Sequence, residues 1–211
     1  SSRGLGDVYK RQGSDRVYSW MEEWLQTEWW KLNVFVTNIT EQFSQIAIVG
    51  PHARDVLEDV LEQSFLSDDL PFMGMSTVEY QNAALNIYRI SFSGELSYEV
   101  AVPTKTSLMF WKKCIEKGAK YGIQPYGTEA LHVMRAEKGF IMIGDETDGT
   151  VIPQDLNLKW AVSKVKTDFI GKRAHNRSFM MDPKRKKLVG ILTEDPEIVL
   201  PDGAHAVEGT K

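Results

Sequence analysis

The residue with the clearest chemical potential is Glu99, a carboxylate inside the strand-like segment 98–102. Side chains alternate across a strand, so Tyr98, Val100 and Val102 share one face while Glu99 lies on the other. The apolar face predicts the core, which leaves Glu99 pointing into solvent or into a cleft. A planar carboxylate on a rigid strand can accept two parallel N–H donors from a flat heterocycle. The alternative is an ordinary solvated glutamate, and periodicity alone leaves both interpretations open.

Other kinds of catalytic or ligand site have no comparable pattern in the sequence. The chain contains no glycine-rich phosphate loop, zinc-ligand spacing or Ser/His/Asp order, and its four histidines are scattered without ligand spacing. The single cysteine, Cys114, excludes an internal disulfide framework and a multi-cysteine metal site. Its apolar neighbours predict a core position. No metal site is therefore expected.

Composition disfavours two classes of partner. The 25 basic and 29 acidic residues give a net charge of −4, which argues against nucleic acid. No run approaches the roughly 20 apolar residues of a membrane helix, and no secretory signal is visible, so a cytoplasmic location without membrane contact is expected. The basic run 184–187 is interpreted as a solvated turn before a strand at 188–192, not as a binding patch.

The elements that must position Glu99 alternate irregularly, which predicts an α+β class. Strands are predicted at 34–38, 45–49, 76–80, 85–92 and 98–102, with a hairpin turn at 81–84. Helices are predicted from residue 14, at 52–62, from 104 to 121 and at 128–138. Thr104 or Thr106 and Thr128 are candidate helix caps, and Gly122 is a helix stop. In the first helix, apolar residues recur every three or four positions, and its tryptophans are interpreted as core or interface.

Five motifs occur in a fixed order along the chain: SFSGELSYE at 91–99, PYGTEALHVMRAEKGF at 125–140, DGTVIP at 148–153, LKWAV at 158–162 and DFIGKR at 168–173. Together they resemble the glycine-cleavage T-protein (aminomethyltransferase) superfamily. In particular, they resemble the C-terminal domain of the alpha subunit of heterotetrameric sarcosine oxidases. Several motifs in one order are more specific than one short pattern. The resemblance implies an aminomethyltransferase-like folate-binding fold of mixed antiparallel sheets with flanking helices.

The resemblance also divides the chain. Residues 1–12 carry no clear period and precede the similarity, so they are interpreted as a non-native leader. Residues 13–182 are expected to form part of the folate-binding domain, and 183–211 to begin a β-rich C-terminal subdomain. Both ends of the chain are expected to be truncated.

The resemblance assigns roles to individual positions. Glu99 stands where the family has the carboxylate that grips the pterin ring of tetrahydrofolate, and Phe92 where it has an aromatic residue near that ring, usually tyrosine. Leu131 stands where the glycine-cleavage proteins have an arginine for the glutamate tail of folate, so the tail must be held elsewhere. Arg135 matches a helix arginine interpreted as structural and paired with a carboxylate. The catalytic aspartate of the family is expected upstream, so no catalytic residue is assigned.

The implied function is folate-dependent one-carbon transfer in a sarcosine oxidase complex. A flavin on the beta subunit would oxidise sarcosine to an imine, and tetrahydrofolate bound here would capture the one-carbon unit. Flavin and NAD sites are expected on other domains or subunits, which are expected partners, and the chain alone is expected to be inactive. One alternative is a non-catalytic folate-binding module like those that maintain iron–sulfur clusters, although their cysteine motif is missing. The other is a structural module that docks a partner subunit through its tryptophan-rich surface.

Overall fold

The structure, a computed structural model, describes residues 6–64, 70–201 and 203–205. The chain forms two compact units, one within residues 1–140 and the other within 141–211. Parts of the predicted leader and of the predicted C-terminal subdomain, residues 1–5 and 206–211, lie outside the described residues. The predicted boundaries after residues 12 and 182 stay predictions.

The first unit is built on a four-stranded sheet in which every described neighbour is antiparallel. Its strands are β1 (Phe43–Val49), β2 (Met75–Tyr80), β3 (Ala83–Tyr88) and β4 (Ser97–Pro103), in the spatial order β1-β4-β3-β2. The strand that carries Glu99 is therefore central, with a hydrogen-bonded neighbour on each side. The antiparallel sheet and its flanking helices confirm the predicted α+β class.

A tight turn joins β2 to β3. Gln81 and Asn82 both have positive φ angles, 53° and 60°, as a type I′ hairpin turn requires. Tyr80 pairs directly with Ala83, so the turn contains two residues and not the predicted four. Asn tolerates the left-handed region well, so the turn causes little backbone strain at Asn82.

The described residues of the first unit form four α-helices: α1 (Gly6–Thr27), α2 (Ala53–Leu61), α3 (Thr104–Gly118) and α4 (Thr128–Lys138). They confirm the predicted helices, and α1 begins inside the tract interpreted as a leader. A 3₁₀ turn at Ala119–Tyr121 extends α3 to the predicted stop at Gly122, whose φ is 73°. Within the described part of the chain, no helix is both long and apolar enough to cross a membrane.

The predicted threonine caps are wrong. The residues that precede α3 and α4 are Pro103 and Gly127, and neither helix has a side-chain cap. Thr104 and Thr128 are already the first helical residues. The Thr106 hydroxyl donates a hydrogen bond to the carbonyl oxygen of Pro103, at 3.1 Å. A hydroxyl inside the first turn cannot reach forward as an N-cap does.

The hydrophobic core lies between one face of the sheet and the helices α2 and α3. Buried positions in α2 recur with helical spacing, which lays one stripe of this helix on the sheet. Tyr98, Val100 and Val102 are 1%, 0% and 0% exposed, as the alternation in β4 predicts. Cys114, on α3, is 3% exposed, and its burial raises the pKa of the thiol to about 12.

Two predicted strands and one predicted strand boundary are wrong. Segments 34–38 and 188–192 form no strand, and the strand predicted at 85–92 ends at Tyr88. Phe35 and Leu192 are 92% and 95% exposed, so neither segment has a buried face. Neither pairs with another strand. Propensity without pairing does not form a strand, because the backbone groups then have no ladder to join.

The second unit is organised around Asp155, a buried carboxylate inside a short 3₁₀ turn, Pro153–Leu156. The side chains of Asp155 and Arg185 are 7% and 10% exposed, and Arg185 donates hydrogen bonds from Nε and Nη2 to both carboxylate oxygens at 2.5–3.2 Å. Lys187 donates from 3.3 Å, and the backbone N–H of Ile152 from 3.1 Å. The hydrogen bonds from Arg185 above all lower the pKa of Asp155 to about 2.

The interpretation of the basic run 184–187 as a solvated turn is wrong for Arg185, because this residue is bound to Asp155. Arg185 is not a solvated turn residue: it also donates to the carbonyl oxygen of Thr150 at 2.7 Å and lies over the ring of Phe179 at 5.0 Å. The described part of the same unit also contains two short helices, α5 (Lys172–His175) and α6 (Ser178–Met181). The run looked solvated because its anchoring partner lies 30 residues away in sequence.

We expect Asp155→Asn to lower the free energy of unfolding of the second unit by about 3 kcal/mol at pH 7, because Arg185 keeps its buried charge without a carboxylate. The folded pKa of Asp155 lies below its ordinary value, so its contribution is present at neutral pH and is lost as the pH falls from about 4 towards 2. Urea unfolding at pH 7, 4 and 2.5 measures this. Asp168→Asn, at an exposed position, is the control and should change stability by less than about 0.5 kcal/mol. A wild-type-to-variant difference that stays constant with pH would contradict the assignment.

Candidate functional site

The sheet has a second face, turned away from α2 and α3. We call it the polar face, and it consists of Phe43, Gln45, Ala47, Val49, Met75, Thr77, Glu79, Ala84, Asn86, Tyr88, Ser97, Glu99, Ala101 and Pro103. Directly opposed residues of antiparallel strands share a face, so the register arranges these side chains in rows across the sheet. Glu99 is half-buried in this face, whereas Gln45, Ala47, Thr77 and Ala84 are exposed.

One row places Glu99 between a methyl group and an aromatic ring. Ala47 on β1 and Tyr88 on β3 are its direct cross-strand partners. Side chains in such pairs lie about 5 Å apart at their Cβ atoms. The small side chain of Ala47 leaves space above the sheet beside the carboxylate, and the ring of Tyr88 borders the other side. A flat group can approach Glu99 edge-on above Ala47.

A hydrogen bond from the neighbouring strand holds the carboxylate. Gln45 Nε2 donates to Glu99 Oε2 at 3.0 Å. The carboxylate only accepts, so the amide nitrogen of Gln45 must be the atom that faces it. Among the residues that the structure describes, no other hydrogen bond to the Glu99 side chain occurs, so Oε1 can accept donors from a ligand.

The next row adds an amide group beside the carboxylate. Gln45 and Asn86 both pair with Ala101, and Asn86 also pairs with Thr77. The Thr77 hydroxyl donates to Asn86 Oδ1 at 2.8 Å. Because Oδ1 faces Thr77, the Nδ2 group of Asn86 points away from Thr77 and can donate a hydrogen bond to another group. The polar face thus combines a carboxylate acceptor with an amide donor over the small side chain of Ala101.

Tyr126, which immediately precedes Gly127 and α4, belongs to the same electrostatic environment. Partial removal of the Tyr126 phenol from water, and to a smaller extent the negative charge of Glu99, raise its pKa. The start of α4 is thereby linked to Glu99 across 27 positions of sequence. At neutral pH this phenol is protonated and can donate a hydrogen bond.

The turn before β4 fixes where that strand begins. Ser91 Oγ accepts a hydrogen bond from the backbone N–H of Gly94 at 2.9 Å, and Ser93 is 2% exposed. Gly94 has a φ of +88°, and a Cβ there would lie 2.4 Å from Cγ of Lys138 on α4. A side chain at this position would therefore displace both the turn and the end of α4.

The structure places the residues assigned by resemblance at different locations. Glu99 lies on the polar face, whereas Phe92 is half-buried in the turn after β3 and outside the strand predicted for it. Leu131 is half-buried on α4. Arg135, on the same helix, is 6% exposed and donates from Nη1 to the carbonyl oxygen of Phe140 at 3.2 Å. Its structural role and the folate contacts of Glu99 and Phe92 stay predictions.

Sequence reasoning missed Gln45, Ala47, Tyr88 and Tyr126 as neighbours of Glu99. Alternation in β1 puts Gln45 and Ala47 on the same face, and that signal was available. The missing information was the strand order, since only the β1-β4-β3 pairing brings these positions to Glu99.

Comparison with known proteins identifies the family to which the chain belongs. The chain matches the family model described as the GCVT N-terminal domain over residues 8–166. It is 46% identical over 197 residues to the sarcosine oxidase subunit alpha of Corynebacterium sp. (strain P-1). The aligned region covers 92% of this chain and 20% of that protein. The sarcosine oxidase subunit alpha of Rhizobium meliloti (strain 1021) is 38% identical over 191 residues, or 90% and 19% of the two chains.

A second kind of relative is the aminomethyltransferase of Chlorobaculum parvum (strain DSM 263 / NCIMB 8327), 36% identical over 158 residues, or 75% of this chain and 42% of that protein. The chain spans about a fifth of the length of the sarcosine oxidase relatives. The matched range includes all four strands and α4, so the polar face lies inside the shared domain. These matches confirm the resemblance drawn from the motifs, and the chain belongs to the family of the GCVT N-terminal domain.

Proposed function

We propose that the polar face binds the pterin ring of tetrahydrofolate, with Glu99 as its main polar anchor. The observation that carries this proposal is the half-buried Glu99 carboxylate on the central strand, with Gln45 on one oxygen and the other free to accept donors. Two neighbouring N–H donors on a flat ring match a carboxylate as closely as a guanidinium does. Membership of the GCVT N-terminal family and the aminomethyltransferase relatives support folate as the ligand.

The residues around Glu99 fit a flat, partly apolar ring that has polar edges. Ala47 leaves room beside the carboxylate, Tyr88 offers an aromatic border, and Asn86 supplies a donor in the next row. When bound, tetrahydrofolate supplies an acceptor for a one-carbon unit. The chain's own residues bind and orient that group, and none of them is proposed as catalytic.

At the level of the whole protein, we propose a role in a sarcosine oxidase complex. In that role the domain captures the one-carbon unit of sarcosine on folate, with a flavin on another subunit as the oxidant. Similarity to two sarcosine oxidase alpha subunits supports this assignment over a free aminomethyltransferase. Holding folate close to the source of the one-carbon unit converts a bimolecular encounter into an effectively intramolecular one.

A second candidate function is a subunit-interaction module of the same fold. The observation that favours it is the apolar surface of α1, where Val17, Trp20 and Met21 are 50%, 46% and 43% exposed. A cluster of exposed apolar side chains on one helix is typical of an interaction surface, whereas single exposed apolar residues are common on any protein. The two functions are compatible if α1 docks and the polar face binds.

The binding proposal predicts that Glu99→Gln raises the Kd for 5-formyltetrahydrofolate about 10- to 100-fold, because a charge-assisted acceptor contributes about 1.5–3 kcal/mol. Isothermal titration calorimetry on the 211-residue chain measures it. Glu79→Gln is the matched control, since Glu79 is exposed on the same face of the edge strand β2. Equal Kd values for the wild type and Glu99→Gln would remove Glu99 from the site.

The geometry above the sheet gives an independent prediction. Ala47→Leu should raise the same Kd at least about 10-fold, because the larger side chain fills the space beside Glu99 while the fold accommodates it at an exposed position. Ala84→Leu, also exposed and on the same face, is the control and should leave the Kd unchanged. Thermal unfolding of both variants checks the fold. Unimpaired binding by Ala47→Leu would show that the ring does not lie over β1.

Product analysis separates the proposed transferase role from a purely structural one. In the complete complex supplied with sarcosine and saturating tetrahydrofolate, we expect methylenetetrahydrofolate, and Glu99→Gln should shift the product towards free formaldehyde. Release of formaldehyde alone by the wild-type complex would support the structural function of the domain.

A further inference from the structure

The contact between Gln45 and Glu99 links two strands across the polar face. Gln45 lies on the edge strand β1 and is paired with Ala101, while Glu99 on the central strand is paired with Ala47. The two residues are therefore diagonal neighbours on one face. Diagonal neighbours lie about 7–8 Å apart at their Cα atoms, which a glutamine spans and a shorter side chain does not.

Small side chains keep this diagonal clear. Ala101 lies opposite Gln45, and Ala47 lies opposite Glu99, so no bulky group separates the amide from the carboxylate. The result is a 3.0 Å hydrogen bond from Gln45 Nε2 to Glu99 Oε2. Gln45 is itself exposed and absent from the hydrophobic core. Its contact with Glu99 contributes to the carboxylate's orientation and not to the packing of the fold.

We infer that Gln45 is a positioning residue for ligand recognition: its amide fixes the orientation of the Glu99 carboxylate, so that the second oxygen faces the ligand. This inference rests on the proposed function. A free glutamate side chain populates several rotamers, and ordering it on binding lowers the affinity. A carboxylate already held by Gln45 avoids much of that loss. The ligand therefore binds more tightly than it would without the Gln45 amide, even if Gln45 does not touch the ligand.

A double-mutant cycle tests this role. Gln45→Met keeps the length of the side chain but removes the donor, and is expected to raise the Kd for 5-formyltetrahydrofolate about 5- to 10-fold, the affinity lost when the Glu99 side chain has to be ordered during binding. In a Glu99→Ala background the same change should alter the Kd less than about 2-fold, because no carboxylate remains to be oriented. A tail-less tetrahydropterin should show the same ratio, since the effect acts at the ring.

Two further measurements separate positioning from folding. Gln42→Met, at an exposed position just before β1, is the control and should leave both Kd and melting temperature unchanged. Gln45→Met should also leave the melting temperature unchanged while the Kd rises. An unchanged Kd, or equal loss of affinity with and without Glu99, would overturn the inference alone, provided that Glu99→Ala weakens binding. Absence of binding by the wild type, or no effect of Glu99→Ala, would overturn the proposed function and the inference with it.

Discussion

The rest of the first unit depends on one constraint, the packing of one face of its antiparallel sheet against two helices. Helices α2 and α3 remove one face from water, and strict alternation then assigns every other side chain of each strand to the opposite face. A one-residue slip of β4 would exchange Val100 for Glu99 in the core and bury an unpaired carboxylate. The register that hides the valine is thus the same register that presents the glutamate.

Local patterns predicted what alternation and helix periodicity control. The two faces of β4, the extent of α4 and the glycine stop after α3 all follow from short-range spacing. Strand order is a long-range property, so the neighbours of Glu99 could not be read from the sequence. The strand predicted at 34–38 failed for a related reason, since β-branched residues indicate a strand only where a partner strand supplies hydrogen bonds. The family resemblance came from motif order and identified the domain.

The two units differ in what holds them together. The first depends on a hydrophobic layer in which Phe110, Leu85 and Ile87 are fully buried. The second has few buried residues in its described part and depends on one carboxylate, Asp155, with donors from Arg185, Lys187 and the backbone. Hydrophobic burial varies little with pH, whereas a buried ion pair is lost when its acid is protonated. The second unit is therefore the more sensitive of the two to acid.

The buried thiol of Cys114 has a practical consequence for labelling. The thiolate is the reactive form of cysteine, and this thiol is both protonated at neutral pH and shielded by the core. It is also the only cysteine in the chain. A cysteine introduced at Ala84, exposed on the polar face, would react with a maleimide dye while the native thiol stays unmodified. The chain therefore needs no cysteine removed before site-specific fluorophores or spin probes are attached.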